Sequence, residues 1–137
     1  MVFPVTTWSS DGAPTRTAWT GWCATPDDLT GQPSVLHGRY TQFTAVEPLP
    51  QARIYLIDTA DDLNRLVAAF PLPPDHPMRR TAPDWEAMAA SGWDAVYAST
   101  AGLTANAERF VMVEPSLTGW DCPSVLWLRP AYRLTTP

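Results

Sequence analysis

The stretch ARIYLIDTADDLNRLVAAFP, residues 52–71, decides the fold because it joins a β-favouring run directly to a strongly signalled helix. Residues 52–57 include β-branched and aromatic side chains, which is typical of a short strand. Thr59 suits the N-cap of a helix, and Asp62 occupies the capping-box position three residues later. Apolar residues then recur at helical spacing, at Leu63, Leu66, Val67 and Phe70, until Pro71 ends the helix. The stretch therefore predicts a strand followed at once by an amphipathic helix.

The segments on either side of this stretch predict an α+β chain. A second, short helix is expected to begin at Pro83-Asp84-Trp85-Glu86 and to end at Gly92. Residues 1–34 are rich in Thr, Ser, Gly and Pro, and they predict an irregular, Trp-rich segment or short edge strands packed on the rest. Further strands are expected over Val35–Val46, Trp93–Ser99, Arg109–Glu114, Pro123–Arg129 and Ala131–Thr135. We therefore predict a single α+β domain over residues 1–137, with a mixed or antiparallel sheet of five to six strands and two helices.

The composition argues against several classes of function. The 137 residues carry a net charge of −5, which disfavours a face that binds nucleic-acid phosphates. All nine basic residues are arginines, so Schiff-base chemistry on a lysine is excluded. Residues 1–5 lack the features of a signal peptide, and no stretch has the ~18 apolar residues of a membrane span. Cys23 and Cys122 alone make no disulfide framework, and whether they pair stays open. We therefore expect a cytoplasmic protein with no membrane segment.

The motifs that commonly carry chemistry are weak or absent in the sequence. The two histidines and two cysteines lack the spacing of a zinc knuckle, so no metal is expected. Ser99 follows a predicted strand but lacks the Gly-x-Ser-x-Gly elbow, and no glycine-rich phosphate loop occurs. Five carboxylates lie at predicted element boundaries, where such residues also cap helices and form turns: Asp58, Asp84, Asp94, Glu114 and Asp121. Their spacing does not decide between these structural roles and acid–base catalysis.

An ordered set of His, Tyr and Glu on three predicted strands resembles the ADP-ribosyltransferase superfamily. Val35-Leu36-His37-Gly38 is similar to that family's His-Gly segment, although Arg39 follows where the family usually has a small residue. Residues 53–58, around Tyr55, are similar to the family's strand-tyrosine segment before a helix. The resemblance implies that His37 and Tyr55 bind NAD as a substrate. It also implies that Glu114 is the catalytic carboxylate, which stabilises the oxocarbenium-like charge as nicotinamide departs.

A second resemblance covers about residues 52–129 and rests on more specific motifs. Pro83-Asp84-Trp85, Trp93-Asp94-Ala95-Val96 and Gly119-Trp120-Asp121-Cys122, with Trp127 downstream, resemble a set of uncharacterised actinobacterial and phage proteins. This resemblance implies a bacterial or phage origin and carries no established activity.

The aromatic and basic residues predict a different class of function. Seven tryptophans and an all-arginine basic set give the composition that is enriched at protein–protein hot spots. We expect Trp19, Trp22 and Arg39 to contact a partner. The sequence therefore leaves two functions open. One is a small NAD-dependent ADP-ribosyltransferase-like domain of toxin or effector type. The alternative is a non-enzymatic protein-binding module that docks through Trp and Arg residues.

Overall fold

The computed structural model describes residues 5–8, 16–17, 20–24, 43–120 and 123–135. The strands within these ranges are β1 (Val5–Trp8), β2 (Arg16–Thr17), β3 (Thr20–Ala24), β4 (Phe43–Pro48), β5 (Ile54–Ile57), β6 (Ala95–Ala98), β7 (Ser124–Trp127) and β8 (Tyr132–Thr135). The helices are α1 (Ala60–Ala69), α2 (Trp85–Ala90) and α3 (Thr100–Ala105).

The eight described strands form one mixed sheet in the order β5-β6-β7-β3-β1-β4-β8, with β2 paired to β3 off this path. β5 and β6 run parallel, and the other described pairs are antiparallel. The predicted α+β class and mixed sheet are therefore confirmed. The described sheet has eight strands rather than five to six, and a third helix, α3, joins the two that were expected.

The N-terminal segment contributes more to this sheet than its sequence predicts. Residues 1–34 were expected to be irregular or to form short edge strands, yet β3 lies between β7 and β1. β3 pairs with β7 on one side and with β1 and β2 on the other, and Trp22 lies opposite Leu126 of β7 in the register. Because β3 is held by pairing with strands that are distant in the sequence, its own local sequence pattern does not predict a central strand.

The strand and helix predicted from residues 52–71 are confirmed by β5 and α1. Thr59 is the N-cap of α1, and its side chain accepts a hydrogen bond from the backbone N–H of Asp62. The Asp62 carboxylate in turn accepts from the N–H of Thr59, which completes the capping box. Leu63, Leu66 and Val67 form the buried face. Asp84 caps α2 in the same way, by accepting from the N–H of Ala87.

The helices cover one face of the parallel strands. α1 and α2 lie in the connection between β5 and β6, and α3 follows β6 directly. Residues of these elements and of β7 form the main buried core, which includes Ile57, Leu63, Leu66, Met88, Val96 and Leu126. Alternate residues of β6 and β7 face the other side, as the two-residue period of a strand requires.

On the opposite face of the sheet, residues from both ends of the strand order pack against one cluster. A second buried cluster there consists of Ala95, Tyr97, Val125 and Trp127. Ile54 from one end of the strand order and Tyr132 from the other both pack against it. The ring centroids of Trp127 and Tyr132 are 4.9 Å apart. Burial on both faces explains why β6 and β7 are mostly apolar, with Ser124 as a buried polar residue at the start of β7.

The predicted strand over Arg109–Glu114 is wrong, since the structure has turns there. The N–H groups of Val113 and Glu114 donate to the carbonyl oxygen of Phe110, which folds the segment back on itself. Met112 has a φ of 69°, outside the range of any strand. The run of apolar, partly β-branched residues favours a strand locally, but the turn's own hydrogen bonds replace those of a sheet.

Gly102→Ala is expected to destabilise the protein by about 1–3 kcal/mol through overpacking. The new Cβ would lie 2.0 Å from the backbone oxygen of Ile57, where α3 packs on the end of β5. Alanine is otherwise the better helix former, so a purely local effect would have the opposite sign. Urea denaturation followed by circular dichroism measures the change. Thr104→Ala, at an exposed position of α3, is the matched control. A variant as stable as the unsubstituted protein would contradict this packing.

Candidate functional site

Tyr55 lies on β5, the strand that directly precedes α1. Its hydroxyl donates a 2.5 Å hydrogen bond to the backbone oxygen of Asp62, and its ring meets Trp93 edge-on with centroids 5.5 Å apart. Burial raises the pKa of the Tyr55 phenol, and the charge of Asp62 raises it further. These contacts give Tyr55 a packing role between β5 and α1.

The Asp62 carboxylate stabilises the beginning of α1. It accepts hydrogen bonds from the N–H groups of Asp58 and Thr59, at 3.0 and 2.9 Å. The bond from Asp58 is the main reason that the pKa of Asp62 lies below its ordinary value. Since the charged form is favoured, this contribution to stability is present above the pKa of the unfolded chain and is lost as the pH falls through the folded-state value.

Glu114 lies in a turn between α3 and β7, and its side chain is partly exposed. Its Oε1 is 3.8 Å from Nε of Arg109. Arg109 also donates through Nη1 to the side chain of Asn64 on α1 and to the backbone oxygen of Pro115. Glu114 is therefore joined to α1 through Arg109.

The described contacts place Tyr55 and Glu114 against different sides of α1. Tyr55 contacts residue 62, and Glu114 is linked through Arg109 to residue 64. Positions two apart on an α-helix are separated by about 200° around its axis. His37 lies outside the described residues, so the structure does not address its position. The predicted NAD-binding set therefore stays a prediction.

The predicted partner-binding residues fall largely outside the described part of the chain. This applies to Trp19 and Arg39. For Trp22 the structure describes the strand, β3, and its register. Their predicted role stays a prediction.

Three of the other boundary carboxylates have structural partners. Asp84 caps α2, as described above. Asp94 accepts hydrogen bonds from the N–H of Arg53 and from Nε of Arg129, at 2.8 and 2.9 Å. Asp58 accepts a 2.5 Å hydrogen bond from the hydroxyl of Ser99, which also caps α3. Asp84 therefore caps a helix, and Asp58 and Asp94 each connect two elements through hydrogen bonds.

An exposed run of apolar side chains follows α3, and sequence analysis missed it. The exposed fractions are 72% for Phe110, 41% for Val111, 53% for Met112 and 63% for Val113. We call these four residues the apolar loop. The signal in the sequence is a run of four apolar residues without the alternation expected of a half-buried strand.

Hydrogen bonds to the buried Thr81 fix the apolar loop in place. The Met112 N–H donates a 2.5 Å hydrogen bond to the hydroxyl of Thr81, a residue that is only 2% exposed. The Ser116 N–H donates to the carbonyl oxygen of the same threonine, at 3.2 Å. Arg109 spans the base of the loop through its 3.2 Å bond to Pro115. The loop is therefore anchored at its centre and at both ends.

A cleft of about 270 Å³ lies beside the apolar loop. Leu103, Asn106, Ala107, Arg109, Leu117 and Trp120 are among the residues that line it. We call it the α3 cleft, because the end of α3 forms one of its walls. Arg109, which lines the cleft, directly precedes Phe110 of the loop in the chain.

Comparisons with known proteins found no match for this chain. No protein-family model, curated protein or solved structure matches the chain. Among the described residues, no helix is both long and apolar enough to cross a membrane. The same residues contain no group of three or more metal-ligating side chains. The two family resemblances found in the sequence stay predictions.

Proposed function

We propose that this chain is a non-enzymatic protein-binding module that docks through the apolar loop. The observation that supports this most directly is the exposure of Phe110, Val111, Met112 and Val113 on a segment that is hydrogen-bonded to the buried Thr81. Contiguous exposed apolar side chains mark interaction sites, because burial against a partner removes them from water. Protein binding is the alternative function that the composition predicts. We propose the apolar loop as its contact surface.

The conformation of the loop supports the same proposal. A positive φ at a residue other than glycine, such as Met112, costs about 1–3 kcal/mol and persists where surrounding bonds impose it. The strained turn places apolar side chains in water rather than in the core. A loop already held in one conformation loses less entropy on binding, which increases affinity.

The charges near the loop indicate the chemistry of the partner. Arg79 and Arg80 are exposed and directly precede Thr81, whose hydroxyl binds the backbone of Met112. Both carry a positive charge on a chain of net charge −5. The complementary surface is an apolar pocket bordered by carboxylates, so we infer a partner protein of that kind. Its affinity is expected to fall with rising salt, because exposed charges are screened.

Replacing Phe110 and Val113 together by serine is expected to weaken partner binding by about 2 kcal/mol or more, the cost typical of removing a hot-spot side chain. Affinity capture with the tagged protein, followed by titration of the recovered partner, measures this. Leu56→Ser is the matched control, since Leu56 is 40% exposed on β5, away from the loop.

The proposal predicts one partner that is retained by the unsubstituted protein and by Leu56→Ser and is lost by the loop variant. Capture of the same proteins by all three forms would contradict docking through the loop. Thermal unfolding at an unchanged midpoint verifies that the serine variant is folded.

NAD-dependent ADP-ribosyl transfer is the second candidate. The position of Tyr55 on a strand directly before a capped helix supports it, as does the partial exposure of the Glu114 carboxylate. In this candidate function His37 and Tyr55 bind NAD, Glu114 is catalytic, and the protein acts in the cytoplasm as a toxin or effector.

Nicotinamide release from NAD by the purified protein tests this second candidate, with a cell extract added as a source of acceptor. An ADP-ribosyltransferase would release nicotinamide, and Glu114→Gln would lower the rate about 100-fold, a typical cost of removing one electrostatic contact to the transition state. Glu108→Gln replaces a nearby exposed carboxylate and is the matched control. The absence of release by the unsubstituted protein would eliminate the candidate, and docking through the apolar loop predicts that absence.

A further inference from the structure

Met112, in the apolar loop, differs from the other described methionines in its exposure to water. The residue is 53% exposed, whereas Met88 is fully buried in the main core. Met78 lies in the turns before α2 and is half-buried. A dissolved oxidant reacts with a thioether only where it reaches the sulfur, so Met112 is the described methionine most open to oxidation.

The backbone around Met112 keeps its side chain at the surface. The N–H of Met112 donates to the hydroxyl of the buried Thr81, and its φ of 69° belongs to the turn that this bond holds. The neighbouring Val111 and Val113 are also exposed, so the thioether is surrounded by apolar surface. A change in polarity at Met112 therefore alters the middle of the proposed docking surface.

Oxidation by a peroxide produces such a change in polarity. The sulfur lone pair attacks one peroxide oxygen, an S–O bond forms and the O–O bond breaks. With hydrogen peroxide, the second oxygen leaves as water after proton transfer. The sulfur is oxidised by two electrons and the peroxide is reduced. The sulfoxide oxygen is a strong hydrogen-bond acceptor, and burying it against an apolar pocket without a donor is unfavourable.

We propose that Met112 is a reversible modification site, at which a peroxide converts the thioether to the sulfoxide and thereby weakens docking through the apolar loop. This inference rests on the proposed docking function and adds its regulation. A dithiol reverses the step through a methionine sulfoxide reductase: the S–O bond breaks, the oxygen leaves as water and the dithiol becomes a disulfide.

Peptide mass spectrometry after brief treatment with hydrogen peroxide tests the site itself. Met112 is expected to be oxidised at least about tenfold faster than Met88, because the core must open before the oxidant reaches the buried sulfur. Equal rates at the two residues would overturn the proposal.

Retention on a phenyl column tests the effect on the apolar surface and needs no natural partner. The treated protein is expected to elute earlier than the untreated protein, and methionine sulfoxide reductase with dithiothreitol is expected to restore the original elution. Peroxide is expected to leave the elution of Met112→Leu unchanged. Met78→Leu is the matched control and is expected to shift as the unsubstituted protein does. Unchanged elution of the unsubstituted protein once Met112 is oxidised, or an equal shift in Met112→Leu, would overturn the proposal.

Affinity for a captured partner tests the effect on docking. Oxidation is expected to raise the Kd of the unsubstituted protein about tenfold, the effect of burying one polar group without a donor, and to leave that of Met112→Leu unchanged. Equal affinity before and after oxidation would contradict the regulation. Failure to capture any loop-dependent partner would contradict the docking function instead, and the column then still decides whether oxidation of Met112 removes apolar surface.

Discussion

The close contact between α3 and the carboxyl end of β5 is the constraint on which the candidate site depends. The absence of a side chain at Gly102 lets the helix lie directly on the backbone of Ile57. The hydroxyl of Ser99 donates to Asp58 and accepts from the N–H of Gly102, so one side chain joins the two parallel strands and caps the helix. With α3 fixed in this way, the residues after its end have a defined position.

The opposite ends of the same strands are held by Asp94. Its carboxylate joins the backbone at the start of β5 to the side chain of Arg129, after β7. Arg53 lies over the ring of Trp93, with its guanidinium carbon 4.4 Å from the ring centroid. That stacking adds a cation–π contact to the same corner. Both ends of the three-stranded unit β5-β6-β7 are therefore tied by charged or polar side chains, which gives the helices and the apolar loop a rigid support.

Features set by residues near one another in sequence were predictable, and features set by distant contacts were not. The capping box of Thr59 and Asp62 and the periodic face of Leu63, Leu66 and Val67 specify α1 locally. α3 has only six residues, which is too short for a periodic apolar pattern to predict it. Its position depends on the contact of Gly102 with Ile57, 45 residues earlier.

The candidate site follows the same rule. The apolar loop has the composition of a strand, and its turn depends on Thr81, which lies 31 residues earlier. Asn106 reads as an ordinary helix-end polar residue until the packing around it is known. Tyr55 was correctly expected on a strand before a helix, but its hydrogen bond to Asp62 is a tertiary feature. Local patterns therefore predicted the scaffold better than the surface it supports.

The proposed docking surface is an apolar loop that is exposed and also rigid, and backbone ¹⁵N relaxation of the free protein measures that rigidity. We predict order parameters of about 0.85 for residues 110–114, the value of rigid backbone, equal to those of α1. Values below about 0.6 would describe a flexible segment and would contradict a preformed docking surface.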